Sequence, residues 1–274
     1  MTLSRDRVSL ADVASKLAKT RLWMSGELAD DDRKALVGAC SDIQTLASHA
    51  DIRRLGTTSD SLHIVLDGWA VRYKRMKDGT RHIPALILPG DICDLDAAMF
   101  DRVDFGVITI TSCMVAVLPR NRAKTLMANH PGIAAAFLSL ALTENAVLGE
   151  WAASIGRRSA RERVGRLLCE LLVRLKAVGK ADEHAYDLPL TQKHLGDATG
   201  LTSVHVNRTL QALRNDGLVT VQGRKATIHD WAALKAMCGF QPSYLHLSGM
   251  DGESANRPVH IFNGPSAVAS IALN

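Results

Sequence analysis

The chain has 274 residues, 47% of them apolar, 22% charged and only 4% aromatic, with a formal net charge of +5. These proportions exclude wholesale disorder, a collagen-like chain and a disulfide scaffold, and the length suits one large domain or two smaller ones. Residues 1–156 carry 18 basic and 18 acidic side chains, residues 157–238 carry 14 and 8, and residues 239–274 carry 1 and 2. The excess positive charge therefore sits in one C-terminal stretch, which points to a polyanion, nucleic acid before membrane.

In chain order, residues 1–21 read as a loosely held N-terminal extension. The mixed charge of MTLSRDRVSLADVASKL offers no apolar core for a signal peptide. Glu27–Cys40 places acids before an apolar face, as a short helix does. From Ile52 to Pro119 the residues turn β-branched. LHIVLDGWAVRYKRM predicts strands before the turn Lys77-Asp78-Gly79. RHIPALILPGD predicts a second strand pair ending at Pro89-Gly90, and FGVITITSCMVAVLP one long β run. Several short strands with Gly/Asp turns predict a β-sandwich or barrel.

After Pro131 the period becomes helical. Ile133, Phe137, Leu140, Glu144, Val147 and Trp151 are spaced alternately by four and three residues, a heptad-like seam. A helix over 131–156 is too long for one small barrel to cover. We read Phe137, Leu140, Glu144, Val147 and Trp151 as a dimer seam, with packing on the chain's own sheet as the rival. Thr143, Glu144 and Asn145 interrupt the apolar stretch before it reaches membrane-spanning length. Arg157–Val178 predicts a second amphipathic helix, Val178–Asp187 a polar connection, and 239–274 a flexible tail.

Residues 188–228 carry the chemistry. Thr191 and Thr202 are N-cap residues, Ala198 is small enough for a close helix crossing, and Gly200 suits the turn between two helices. The second helix, Ser203–Asn215, points Val206, Leu210 and Leu213 inward. LVTV and KATI flank Gln222-Gly223-Arg224 as a hairpin wing. This predicts a winged helix-turn-helix over 157–238, whose second helix enters the major groove. Ser203, Val204, His205, Asn207, Arg208 and Gln211 face outward, with Arg able to pair with guanine and Asn or Gln with adenine, Arg208 the chief base reader and His205 at a phosphate-facing place. Thr202, Lys193, Arg214, Arg224 and Lys225 are placed for phosphates.

These segments resemble the Crp/Fnr family of bacterial transcription regulators over roughly residues 22–238. GLTSVHVNRTLQALRNDGLV resembles its recognition segment, and LDGWAVRYKRMKDGTR…LPGDICD its cyclic-nucleotide-binding-like roll. The resemblance implies an α+β protein: a jelly-roll-like antiparallel β-roll as sensor over 22–130, a long dimerisation helix and a winged helix-turn-helix. It implies double-stranded DNA, a second copy of the chain and RNA polymerase as partners, in the cytoplasm. Where family members read DNA with an Arg-Glu…Arg set, the matching positions are Ser203, Val204 and Arg208; only the last is kept.

The sensor cassette departs from the family pattern. GDICDLDAAMFDRVDFGVIT holds Asp91, Asp94, Asp96, Asp101 and Asp104 against one Arg102. Carboxylates repel a cyclic phosphate, so cyclic AMP is not expected. An iron–sulfur cluster needs about four cysteines within reach, and Cys40, Cys93, Cys113, Cys169 and Cys238 are scattered with no CxxC pair. His63, His82 and Cys93 are the axial candidates for haem, and surface imidazole or buried thiol is the commoner fate of each. Neither cofactor is expected. Three other readings stay open: a metal-binding jelly-roll enzyme, a cyclic-nucleotide-responsive regulator, and a protein-interaction module. The first wants closely spaced histidines plus Glu, and the sequence has no Glu between Glu27 and Glu144; GxSxG, GxxxxGK[ST] and HExxH are absent too.

Overall fold

The structure, a computed structural model, describes residues 10–18, 20, 22–23, 28–102 and 104–247. Helix α1 (Leu10–Leu17) opens it, and α2 (Asp30–Ala39) follows with three aspartates in its first turn, against the helix dipole. Val13 and Leu17 of α1 are buried against the roll, so this part of the N-terminal extension is packed, not loose.

Seven strands follow: β1 (Asp42–Leu46), β2 (Asp51–Arg53), β3 (Ser61–Asp67), β4 (Ala70–Arg75), β5 (Arg81–Ile87), β6 (Gly106–Thr109) and β7 (Cys113–Pro119). They make two antiparallel sheets, ordered β1-β7-β3 and β2-β6-β4-β5. Two strand expectations need correction. Residues 81–91 form one strand, not a pair. On the edge strand β5, the pairing with β4 jumps from Arg72↔Ala85 to Lys74↔His82, which places the proline Pro84 in a bulge where its missing N–H costs nothing. The 105–119 run splits at 110–112 and its halves join different sheets. The split follows a close approach: a Cβ on Gly68, whose φ is +89°, would lie 2.3 Å from the Ser112 carbonyl oxygen.

Three helices come next: α3 (Arg120–Asn129), α4 (Pro131–Arg157) and α5 (Ala160–Ala177). Ser159 caps α5 in a reciprocal box with Glu162. The last part holds β8 (Ala185–Asp187), α6 (Gln192–Thr199), α7 (Ser203–Asn215), β9 (Val219–Gln222), β10 (Lys225–Ile228) and α8 (Trp231–Cys238). Strands order as β8-β10-β9, so a third wing strand lies in what the sequence presented as a polar connection. The tail boundary at 239 is also corrected. Phe240 and Leu245 are fully buried, and Tyr244 donates its hydroxyl to Glu170 Oε2 at 2.9 Å. Residues 248–274 of the expected tail lie outside the described residues.

Apolar packing divides into three clusters. Leu46, Val65, Ala70, Ala85, Ile87, Cys93, Val107, Cys113 and Val115 fill the space between the two sheets. A second cluster joins α1 to α4 on the outer face of β3 and β7. The third is continuous from Trp69, Val71, Ile83 and Leu86 of the roll through Val147 of α4 into the α5–α8 domain. Arg174 of α5 ties the same junction, bonding Asp91 at 2.7 Å and the Leu86 carbonyl at 3.0 Å.

Helix α4 corrects the seam. Phe137 is 2% exposed and Val147 7%, both inside the chain's own core. Leu140 packs against the roll, Glu144 pairs with Arg72, and Trp151 donates to Glu170 at 2.9 Å. These residues hold the long helix to its own chain. The exposed stripe runs along the other side: Leu138, Leu142, Asn145, Gly149, Ala152 and Gly156, again spaced 4, 3, 4, 3, 4. Both stripes obey the heptad period, and the larger side chains drew the reading to the inner one. The expectation that Thr143, Glu144 and Asn145 stop this stretch short of membrane-spanning length is corrected: by length and composition alone, the 27 residues of α4 are long and apolar enough to cross a membrane.

Candidate nucleic-acid interface

The pair α6–α7 is set by local chemistry. Thr191 Oγ1 accepts from the His194 N–H at 3.2 Å, and Thr202 Oγ1 accepts from the His205 N–H at 3.2 Å, so each helix starts with a satisfied N-cap. His194 Nδ1 accepts from the Thr191 N–H at 3.3 Å. Burial, aided by the Arg81 guanidinium, pushes the His194 pKa down to about 4, which keeps the ring neutral in that accepting role. Between the helices Gly200 adopts φ +68°. The close approach falls at Gly196, where a Cβ would lie 2.4 Å from the Leu201 carbonyl oxygen. Sequence reasoning assigned the need for a small residue to Ala198 and missed Gly196. The signal was a glycine inside a helix, where it is otherwise unfavourable.

Helix α7 sinks Val206, Thr209 and Leu213 and presents its other side. Thr202, Ser203, Val204, His205, Arg208, Gln211 and Arg214 are exposed, and Asn207 is half-buried. Val204 is 62% exposed, an apolar side chain that none of the described residues covers. Among the described residues Arg208 has no side-chain hydrogen bond or ion pair, so its guanidinium is available to a ligand. Lys193 is exposed at the start of α6.

The wing turn carries Gly223 and Arg224 with φ +57° and +69°, the primed geometry of a two-residue hairpin. A left-handed arginine is strained, and the Arg224 carbonyl accepts from the Leu188 N–H at 2.7 Å. Lys225 is less free than expected, since its ammonium lies 3.6 Å from Asp182. The fold thus brings Thr202 to Arg214 together on one exposed helix face, with Lys193 on the preceding helix and Arg224 on the wing turn.

Two family models match the chain: a cyclic nucleotide-binding domain over residues 43–130 and a Crp-like helix-turn-helix domain over residues 162–237. The transcriptional activator protein FnrL of Cereibacter sphaeroides is 30% identical over 189 residues, covering 67% of this chain and 75% of FnrL. The nitrogen fixation regulation protein FixK of Azorhizobium caulinodans is 26% identical, covering 77% and 86%. Among solved structures, FixK2 of Bradyrhizobium japonicum superposes with a TM-score of 0.65 at 24% identity, covering 71% of this chain and 95% of its own. The c-di-GMP responsive regulator CLP of Xanthomonas campestris superposes with 0.61 at 16% identity, covering 74% and 100%.

Proposed function

The chain belongs to the Crp/Fnr family of transcription regulators, and from that premise we propose that it acts as a homodimer on a near-palindromic operator, through a roll that does not take cyclic AMP. Its relatives are transcription regulators, and the metal-dependent enzyme reading is set aside on that ground. The observation that carries the proposal is the exposed face of α7. It joins an unpaired Arg208, Gln211 and Asn207 to a bare Val204, hydrogen-bonding groups for base edges beside an apolar contact for a thymine methyl. Thr202, Lys193, Arg214 and Arg224 then act on phosphates, and α4 supplies the dimer contact through its exposed stripe. RNA polymerase is the further partner we assign by family.

The residues of the roll fit a cyclic nucleotide poorly. Arg53 is the buried cation of this region, 4% exposed, and it lies 3.3 Å from Asp96 and 3.8 Å from Asp94. Asp94 is fully buried and accepts from His63 N–H and Nδ1, each at 2.8 Å. The small pocket beside α4 is lined by Leu86, Asp91, Leu140, Glu144, Val147 and Arg174, and Arg174 already holds Asp91 and Glu170. A phosphate entering there meets carboxylates and no free guanidinium. We extend the same reading to haem and iron–sulfur clusters: His63 is engaged by Asp94, and burial raises the Cys93 thiol pKa well above its usual value.

Selection from a random duplex pool tests the function. The expected yield is an inverted repeat with half-sites about one helical turn apart. A pool without consensus overturns the proposal. Calorimetric titration with cyclic AMP is expected to give no heat at micromolar concentrations, and micromolar binding overturns the sensor assignment.

A further inference from the structure

Two thiols meet inside the α5–α8 domain. Cys169 lies in the middle of α5 and Cys238 ends α8; they are 0% and 2% exposed, and their sulfurs stand 4.0 Å apart. The two helices cross closely there. A Cβ on Gly165, one turn before Cys169, would lie 3.2 Å from the Cys238 Cβ. The thiols are not equivalent. Cys169 donates to the Cys238 sulfur, which lowers the Cys238 pKa with help from the Arg166 guanidinium; the same bond, with burial, raises that of Cys169. One sulfur is thus the nucleophile while the other holds the proton, the asymmetry that disulfide formation uses. Cys40, Cys93 and Cys113 differ, because burial raises the pKa of each.

Cys238 also begins a segment outside the matched domain, since the Crp-like helix-turn-helix match ends at residue 237. Beyond it the chain turns at Gly239 with φ +59°, buries Phe240 and closes a short helical turn over Pro242–Leu245. This strap reaches both α4 and α5, the helices that meet at Arg158 and Ser159. Glu170 Oε2 of α5 accepts from the Tyr244 hydroxyl and from Trp151 Nε1 of α4, each at 2.9 Å. Arg166 of α5 bonds Glu150 of α4 at 2.6 Å and also donates to the carbonyls of Cys238 and Gly239. The strap therefore adds a hold between α4 and the domain that carries α7. Its root, Cys238, is the point at which a covalent bond would tie it to α5.

We propose that Cys169 and Cys238 are a reversible dithiol–disulfide site, whose oxidation by a peroxide latches the strap to α5. The Cys238 sulfur attacks one peroxide oxygen and breaks the O–O bond, giving a sulfenic acid and a first water that carries away the Cys238 proton. The Cys169 sulfur then attacks the Cys238 sulfur, and the sulfenic oxygen leaves as a second water with the Cys169 proton. The two thiols lose two electrons and the peroxide gains them. Bond formation draws the sulfurs from 4.0 Å to about 2.0 Å, a small shift for an eight-residue helix. Burial admits only a small uncharged oxidant, and it does so when the end of α8 opens. A dithiol reductant reverses the step by exchange and is itself oxidised to a disulfide. The bond joins residues 69 apart in the chain, so it removes most openings of the strap. The site stands whether or not α7 reads an operator.

The test treats the full chain with hydrogen peroxide and follows linked peptides and amide hydrogen exchange by mass spectrometry. The expected product is lighter by two hydrogens and yields one linked peptide pair, Cys169 with Cys238, which dithiothreitol separates. In that product the amides of Gly239 and Phe240, which bond the carbonyls of Ala236 and Lys235, exchange about tenfold or more slowly than in the reduced chain. Cys169→Ala and Cys238→Ala, made singly, are expected to abolish the linked pair and to leave exchange indifferent to peroxide. Both readouts on the unaltered chain decide the matter even where a variant fails to fold. Oxidation that stops at one cysteine, or that links any other pair, overturns the site. A disulfide between Cys169 and Cys238 with unchanged exchange over 239–247 overturns the latch.

Discussion

Replacing Arg208 with alanine is expected to weaken operator binding by about 1–3 kcal/mol, a factor of roughly five to 150, and to relax preference at one base pair in each half-site. The expectation follows from what Arg208 lacks. It is exposed in the second turn of α7, and among the described residues no carboxylate or carbonyl engages it. Its removal leaves no orphaned partner in the free protein, so the loss appears in the complex and not in thermal stability. A guanidinium on a groove-facing helix pairs bidentately with guanine O6 and N7, a geometry that an ammonium cannot reproduce. Arg208→Lys should therefore keep overall affinity for DNA while losing discrimination at that position. Titrating both variants against the operator and its single-pair substitutions checks this. A uniform loss across all sequences would reassign Arg208 to a phosphate.

The recognition half was legible because its signals are local. Thr191, Gly200 and Thr202 punctuate two short helices by capping and turn chemistry that each residue performs alone, and the period of Val206, Leu210 and Leu213 identifies the inner face. The roll was legible as strands but not as sheets. Which sheet receives 106–109 and which 113–119 depends on a contact between Gly68 and Ser112, distant in sequence. The ordered stretch from Gly239 to Leu247 was illegible for a similar reason. Phe240 and Tyr244 gain their places from Arg166, whose guanidinium stacks 5.7 Å and 6.0 Å from the two rings, and nothing in the local sequence announces a partner so far back in the chain. In the sensor, Arg53 was missed entirely. It sits in a three-residue strand, and only the fold brings it to Asp94 and Asp96.

The two stripes of α4 lead to the other large effect. Replacing Leu142 with aspartate is expected to leave a folded monomer and to lower affinity for the full operator by a factor on the order of 10²–10⁴, the advantage lost when two linked half-site contacts become independent. Leu142 is 59% exposed and Leu138 43%, so a carboxylate there costs the isolated chain little. In a twofold pair of α4 helices, the same change places two charges at one apolar contact, unpaired and out of water. Towards the C-terminal end the stripe narrows to Gly149, Ala152 and Gly156, small enough for the proposed partner helix to approach closely. Asn145, between the leucines and the glycines, is a polar side chain at a seam position, the kind that fixes register at a cost in stability. Phe137→Ala is the contrasting change. It empties a core site at 2% exposure and should cost about 3–5 kcal/mol of folding stability while the folded fraction still dimerises. Sedimentation equilibrium with thermal melting separates the two outcomes. A dimeric Leu142→Asp chain with full operator affinity would mean that α4 meets its partner through some other face.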